Sequence, residues 1–213
     1  MKTKFAHIDT WVFDLDHTLY SKEDCLFDQI EDLMVAYMKK ALNIDETTAN
    51  HLRKHYWQTY GTTLSGLMVE HNIAPEPFLA AVHDIDLGAL SPDPALATAI
   101  NALPGRKIIY TNGDKNHAVR VLAARGLSHC FEDIFGIEHA QYTPKPQRDA
   151  FEIIFQRAAL SPQNAAMFED DPRNLLVPHE MGLSTILVDQ ISTQPHIHYC
   201  TDQLTQFLHA TQA

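Results

Sequence analysis

The stretch Trp11-Val12-Phe13-Asp14-Leu15-Asp16-His17-Thr18-Leu19-Tyr20 decides how the chain is read. A short apolar run ends in two carboxylates one residue apart, with a hydroxyl two residues further on. Residues i and i+2 of a strand share a face. A strand that continues to Asp16 would aim both carboxylates the same way, at the carboxyl edge where open α/β sheets bind ligands. Two such charges close together need a cation, a shared proton, or both. Oxygen ligands suit a hard divalent metal.

Outward from this stretch, short apolar runs alternate with helical patterns. Strands are expected at Thr10–Phe13, Lys107–Tyr110, Asp133–Ile137, Ala165–Phe168 and Thr185–Val188, as for a buried parallel sheet. Between them, helices are expected at His117–Arg125, stopped by Gly126, at Pro146–Ala159, and at Pro172–Met181, where Pro178 should shorten or kink the helix. The fold class is α/β, a Rossmann-like doubly wound sheet. The interval 21–90 departs from this rhythm. Gln29–Leu42, Thr47–Tyr60 and Pro77–Val82 have helical periodicity and little strand character. The expected organisation is a core of residues 1–20 and 91–213, with 21–90 as a helical cap inserted after the first strand and able to cover the site. Ser91-Pro92-Asp93-Pro94 reads as the return linker.

Composition narrows the classes. The 213 residues hold 16 Lys plus Arg against 27 Asp plus Glu, a formal net charge of −11. That argues against a nucleic-acid polymer or an anionic membrane surface as partner. An anionic small molecule stays possible, because a metal and one lysine can reverse the sign locally. No apolar run approaches the roughly 20 residues that span a bilayer, and no signal core follows Lys2 and Lys4, so a cytoplasmic location is expected. Cys25, Cys130 and Cys200 have no CxxC spacing and read as reduced thiols.

Three more clusters fall near strand ends. Thr111-Asn112-Gly113 offers a hydroxyl and free backbone N–H groups to an anionic oxygen. Lys145 sits between Pro144 and Pro146, which stiffen its loop. Glu169-Asp170-Asp171 puts three adjacent acids after a buried run, followed by Arg173 and Asn174.

The ordered set Asp14-x-Asp16-x-Thr18, Thr111-Asn112, Lys145 and Glu169-Asp170 resembles the four motifs of the haloacid dehalogenase-like (HAD) phosphohydrolases, and it runs through the whole chain. The resemblance implies roles. Asp14 is the expected nucleophile, and Asp16 protonates the leaving oxygen and then activates water. Thr111 and Lys145 hold phosphoryl oxygens, with Thr18, Asn112 and Gly113 as further phosphate contacts. Asp14, Glu169, Asp170 and the Asp16 backbone carbonyl hold Mg²⁺. The chemistry is coherent. Attack by Asp14 splits hydrolysis into two displacements. Mg²⁺ and Lys145 offset the repulsion between carboxylate and phosphate. Asp16 can carry a proton if its pKa is raised, which burial under a cap favours.

A narrower resemblance lies in Tyr60-Gly61-Thr62-Thr63-Leu64-Ser65-Gly66-Leu67, which is similar to a segment of the pyrimidine 5′-nucleotidase branch. Tyr60 and Thr63 thereby become candidate substrate contacts, and UMP or CMP the expected substrate. That branch often has Asn where His17 stands and Ser where Asp171 stands, which leaves the role of Asp171 open. His17 is expected to point away from the metal. His196-x-His198-x-Cys200 invites a zinc reading but lacks a second ligand pair. The rival functions are a phosphatase for phosphoglycolate or a sugar phosphate, a 2-haloacid dehalogenase, and a non-catalytic binding module. Asp16 and the acidic run speak against the halide chemistry, which needs neither a leaving-group acid nor Mg²⁺. Oligomeric state stays open.

Overall fold

Strand β1 (Thr10–Phe13) is buried at all four positions and lies at the centre of a six-stranded sheet. The computed structural model describes residues 2–212. The strands β2 (Arg106–Tyr110), β3 (Asp133–Phe135), β4 (Ala165–Glu169), β5 (Ser184–Val188) and β6 (Tyr199–Thr201) complete the sheet in the order β3-β2-β1-β4-β5-β6. Every pairing is parallel, with Phe13 opposite Ile109 on one side and Phe168 on the other. The order reverses at β1, so the crevice at its carboxyl end is the natural ligand site of a doubly wound sheet.

Alternation along β1 splits the core. Trp11 and Phe13 join one apolar cluster with Phe168 and Phe207, and Val12 joins the other with Ile108, Met167 and Phe151. The Phe13 and Phe168 rings stack at 4.6 Å. Helices cover both faces of such a sheet, which is why its strands read as unbroken apolar runs.

The core helices are α1 (Lys2–Phe5), α6 (Pro94–Asn101), α7 (Lys115–Ala124), α8 (Arg148–Arg157), α9 (Leu176–Met181) and α10 (Leu204–Gln212). Between β1 and α6 the chain forms α2 (Leu26–Leu42), α3 (Glu46–Tyr60), α4 (Thr63–His71) and α5 (Pro75–Val82). Asp45 and Thr62 cap α3 and α4, accepting the backbone N–H groups of Thr48 and Ser65. No helix among the described residues is long and apolar enough to cross a membrane.

Several expectations shift. β3 stops at Phe135, because Gly136 opens a tight 3-10 turn. α8 starts at Arg148 rather than Pro146. The expected Pro172–Met181 helix divides into a 3-10 turn over Pro172–Leu175 and α9, with Pro178 at the third position of α9, where its missing N–H costs no helical bond. β6, α1, α4, α6 and α10 have no counterpart in the expected elements.

Candidate active site

β1 ends at Phe13, so Asp14 and Asp16 sit in the following loop rather than on a continued strand. Both nevertheless face one cavity of about 930 Å³ between the carboxyl edge of the sheet and α2–α5. The Asp14 backbone N–H donates to the Phe168 carbonyl at 2.9 Å, which locks the loop to β4. Lys145 is almost fully buried, at 1% exposure. Its Nζ donates to Asp14 Oδ1 at 2.7 Å, Glu169 Oε2 at 2.6 Å and the Tyr110 carbonyl at 3.2 Å. A buried ammonium persists when paired in this way. Asn112 fixes the Lys145 loop through two bonds, accepting its N–H at 2.8 Å and donating to its carbonyl at 3.2 Å. Gly113 N–H donates to Thr111 Oγ1 at 2.9 Å, and Thr111, Asn112 and Gly113 all line the cavity.

Carboxylate oxygens of Asp14, Glu169 and Asp170 lie within 4.8 Å of one another. Burial, with the charges of Asp170 and Asp16, pushes Asp14 up to about 6 against the pull of Lys145. Burial and the Asp14 charge push Glu169 well above its ordinary value. Lys145 moves the other way from what burial favours, because Asp14 and Glu169 hold its proton. Asp170 lies below its ordinary value: burial raises it, and His17 and Lys22 more than offset that, with Lys22 Nζ at 3.1 Å. The buried Lys145 and the exposed Lys22 face three clustered acids, with Asp16 close by, which leaves excess negative charge there. The donor set is all oxygen, which fits a hard divalent cation.

Asp16 is held differently from the expectation of a raised pKa. Tyr20 Oη donates to its Oδ1 at 2.8 Å, and His117 Nε2 lies 2.9 Å from the same oxygen. Burial raises Asp16, but His117 and the Tyr20 bond win and bring it down to about 2. Burial lowers His117, but Asp16 and Asp114 reverse that and raise it. The proton of this pair therefore resides on His117. The His83 ring stacks on His117 at 4.3 Å, with Nδ1 2.7 Å from Asp114 Oδ2. Sequence reasoning missed His117, His83 and Tyr20. The available signal was Asp114, a helix cap accepting the His117 N–H, which puts His117 in the first turn beside the carboxyl edge of the sheet.

Three other expectations change, and the open position of Asp171 is filled. His17 faces the cavity, with Nδ1 3.7 Å from Asp170 Oδ2. Strand alternation no longer applies past Phe13, and the backbone of His17 is left-handed at φ 62°. Thr18 is buried off the cavity wall, its hydroxyl without a partner among the described residues. Tyr60 also lies off the wall. Helical spacing puts Trp57 and Gly61 there, and Tyr60 Oη instead donates to Glu70 at 2.8 Å. Asp171 turns to Arg173, accepting its Nη2 at 2.6 Å, and the Arg173 guanidinium lies 3.7 Å over the Trp57 ring. Thr63 does line the cavity, its hydroxyl 3.5 Å from the Arg53 carbonyl.

The tail cluster does not converge. His198 Nδ1 accepts the Thr185 N–H at 3.1 Å, and His196 Nε2 lies 2.9 Å from the Pro172 carbonyl. Cys25, Cys130 and Cys200 are free thiols.

Comparison with known proteins agrees with this architecture. The sequence model of the haloacid dehalogenase-like hydrolases matches residues 8–182. Phosphate metabolism protein 8 of Saccharomyces cerevisiae is 26% identical over 191 residues, which cover 82% of this chain and 60% of that protein. The chain thus spans less than two thirds of that relative. A HAD-hydrolase of Bacillus subtilis bound to magnesium superposes with a TM-score of 0.62 at 19% identity, covering 97% of this chain and 99% of that one. A HAD phosphatase of Thermococcus onnurineus gives 0.63 at 13% identity over 95% and 97%. L-2-haloacid dehalogenase of Xanthobacter autotrophicus gives 0.60 at 14% identity over 97% and 99%. These structures share the fold, and the family match covers most of the chain, which belongs to the haloacid dehalogenase-like hydrolases.

Proposed function

We propose that the protein is a Mg²⁺-dependent phosphomonoester hydrolase that works through an aspartyl phosphate on Asp14 and acts on pyrimidine nucleoside 5′-monophosphates. Residues 21–90 serve as the cap, and residues 1–20 with 91–213 as the catalytic core. The observation that carries this reading is the cluster of Asp14, Glu169 and Asp170, the first two buried and bonded to Lys145, with Asp16 beside it on the same cavity. A halide hydrolase has no use for so many acids or for a second carboxyl with its own proton source.

Asp14, Glu169, Asp170 and the Asp16 carbonyl are the groups that would hold Mg²⁺, which when bound supplies positive charge against the phosphoryl oxygens. Lys145 gives a second positive charge and orients Asp14 through its 2.7 Å bond. Thr111 and the backbone N–H groups of the loop after β2 receive phosphoryl oxygens. Asp14 attacks phosphorus, and the leaving oxygen takes its proton from the Asp16–His117 pair. The same pair then accepts a proton from the water that hydrolyses the aspartyl phosphate. Sharing that proton resolves how Asp16 acts as an acid from a resting value of about 2. The nucleotide preference rests on the Tyr60–Leu67 likeness and on the cavity above the site, whose wall is largely apolar and takes a flat ring.

The test is turnover of UMP, CMP, AMP, GMP, ribose 5-phosphate and phosphoglycolate, with and without Mg²⁺. Hydrolysis of UMP and CMP ahead of the others, only with metal, supports the reading. Preference for a purine nucleotide or a small phosphate removes the substrate assignment. Halide release from a 2-haloacid without phosphate release removes the phosphatase assignment.

A further inference from the structure

His83 stands where α5 ends, its backbone N–H donating to the Leu79 carbonyl at 3.1 Å. It belongs to the segment between β1 and α6, yet α7 of the core holds it. Its Nδ1 lies 2.7 Å from Asp114 Oδ2. A carboxylate only accepts, so the His83 Nδ1–H is the donor. Arg120 Nη1 donates to the His83 carbonyl at 2.7 Å, and Arg120 Nη2 to the Ile85 carbonyl at 2.8 Å. His83 is buried and borders the cavity that Asp14 and Asp16 line.

These contacts aim the ring at one target. The His83 and His117 rings stack at 4.3 Å with 16° between their planes. Asp114 serves both histidines, since Oδ1 accepts the His117 backbone N–H at 2.8 Å while Oδ2 holds the His83 ring. The His117 side chain is fully buried. Its Nε2 lies 2.9 Å from Asp16 Oδ1, but its Nδ1 has no hydrogen-bond partner among the described residues. One hydrogen bond fixes an imidazole poorly, because its χ2 well is broad. The flat face of His83 limits that swing and keeps His117 Nε2 on Asp16.

We infer that His83 is a positioning residue for leaving-group protonation: fixed to α7 by Asp114 and Arg120, it holds the His117 ring in line with Asp16. The segment between β1 and α6 thereby takes part in the chemical step as well as in shaping the cavity. This rests on the reading of Asp16 and His117 as the pair that protonates the leaving oxygen. The rival role for His83 is a tie between α5 and α7 through Asp114. The two roles use different atoms. The tie needs the Nδ1–H donor, and the positioning needs the ring face.

The experiment measures kcat and KM with Mg²⁺ at pH 8 on two substrates. One is UMP, or the best-hydrolysed alkyl phosphate of the panel. The other is 4-nitrophenyl phosphate, whose leaving group needs little protonation. The variants are His83→Ala, His83→Asn, His117→Gln and the double variant His83→Asn with His117→Gln, each checked for folding by thermal melting. His83→Asn keeps a donor for Asp114 and removes the ring, so it stays informative if His83→Ala is unstable. Both His83 variants should lower kcat on the alkyl phosphate about fivefold and on the aryl phosphate less than about twofold, with KM little changed. On top of His117→Gln, His83→Asn should add less than about twofold, because it acts through the ring already removed. Wild-type kcat in His83→Asn, equal losses on the two substrates, or a full further loss in the double variant overturns the inference alone and leaves His83 as a tie. Equal losses on both substrates in His117→Gln, or no hydrolysis of any phosphate by wild type, overturns the reading beneath it, and this inference with it.

Discussion

His117 Nε2 lies 2.9 Å from Asp16 Oδ1, and this contact sets where the proton of the pair resides. Burial alone would raise Asp16. With His117 present, Asp16 is held at about 2 and His117 is raised, so the pair keeps one proton until pH rises through the raised value of His117. His117→Gln removes that carrier, and the proton must then reside on Asp16 itself, which gives it up at lower pH. The basic limb of kcat should move to lower pH. At pH 8, kcat on a nucleotide should fall by on the order of tenfold, part of the ~10²–10⁴ that positioned proton transfer contributes. An activated aryl phosphate should lose less. An unmoved limb contradicts the shared-proton account.

Gly61 couples the helical segment to the Lys145 loop. Its φ is +90°, and a Cβ there would meet the Lys145 carbonyl at 3.0 Å. Gly61→Ala adds strain of about 1–3 kcal/mol and presses on the loop that Asn112 pins. The expected result is a fall in kcat of roughly tenfold or more, measured by steady-state kinetics. Wild-type kcat in this variant would show that the contact does not position Lys145.

The acids after β4 should separate by function. Asp170 belongs to the oxygen cluster, and Asp171 is bonded to Arg173. Asp170→Ala should weaken Mg²⁺ binding, read by titration of activity or of the melting temperature, more than Asp171→Ala does. Chelation should abolish turnover and added Mg²⁺ restore it. The reverse order of the two variants, or full activity without divalent metal, contradicts the assignment.

Selectivity should not depend on Tyr60. Its hydroxyl bonds Glu70, off the cavity wall. Tyr60→Phe should leave the UMP to AMP ratio of kcat/KM within about twofold. A collapse of that ratio would return Tyr60 to the pocket.

How far the sequence could be read follows from range. β1, β2, β4 and β5 were legible because buried parallel strands are unbroken apolar runs, and α7 because Gly126 stops its pattern. β6 was not, since Tyr199–Thr201 is short and only half buried. The acids could be found because they lie at the ends of β1 and β4 or within a few residues after, and Lys145 through its place in the ordered motif set. His117 meets Asp16 across 101 positions of chain, and His83 meets Asp114 across 31, so no local pattern announces either pair. His17 was misjudged because alternation was extended past the true end of β1, into a left-handed residue.

The central claim is that Asp14 is the nucleophile. Burial and neighbouring acids push it up to about 6 without metal, and Lys145 is aimed at its Oδ1. The direct measurement is kcat of Asp14→Asn on UMP at saturating Mg²⁺, with a melting curve confirming the fold. Asn preserves the volume and removes the nucleophilic carboxylate. The account predicts less than about a hundredth of wild-type kcat. A folded Asp14→Asn protein that keeps more than that contradicts it.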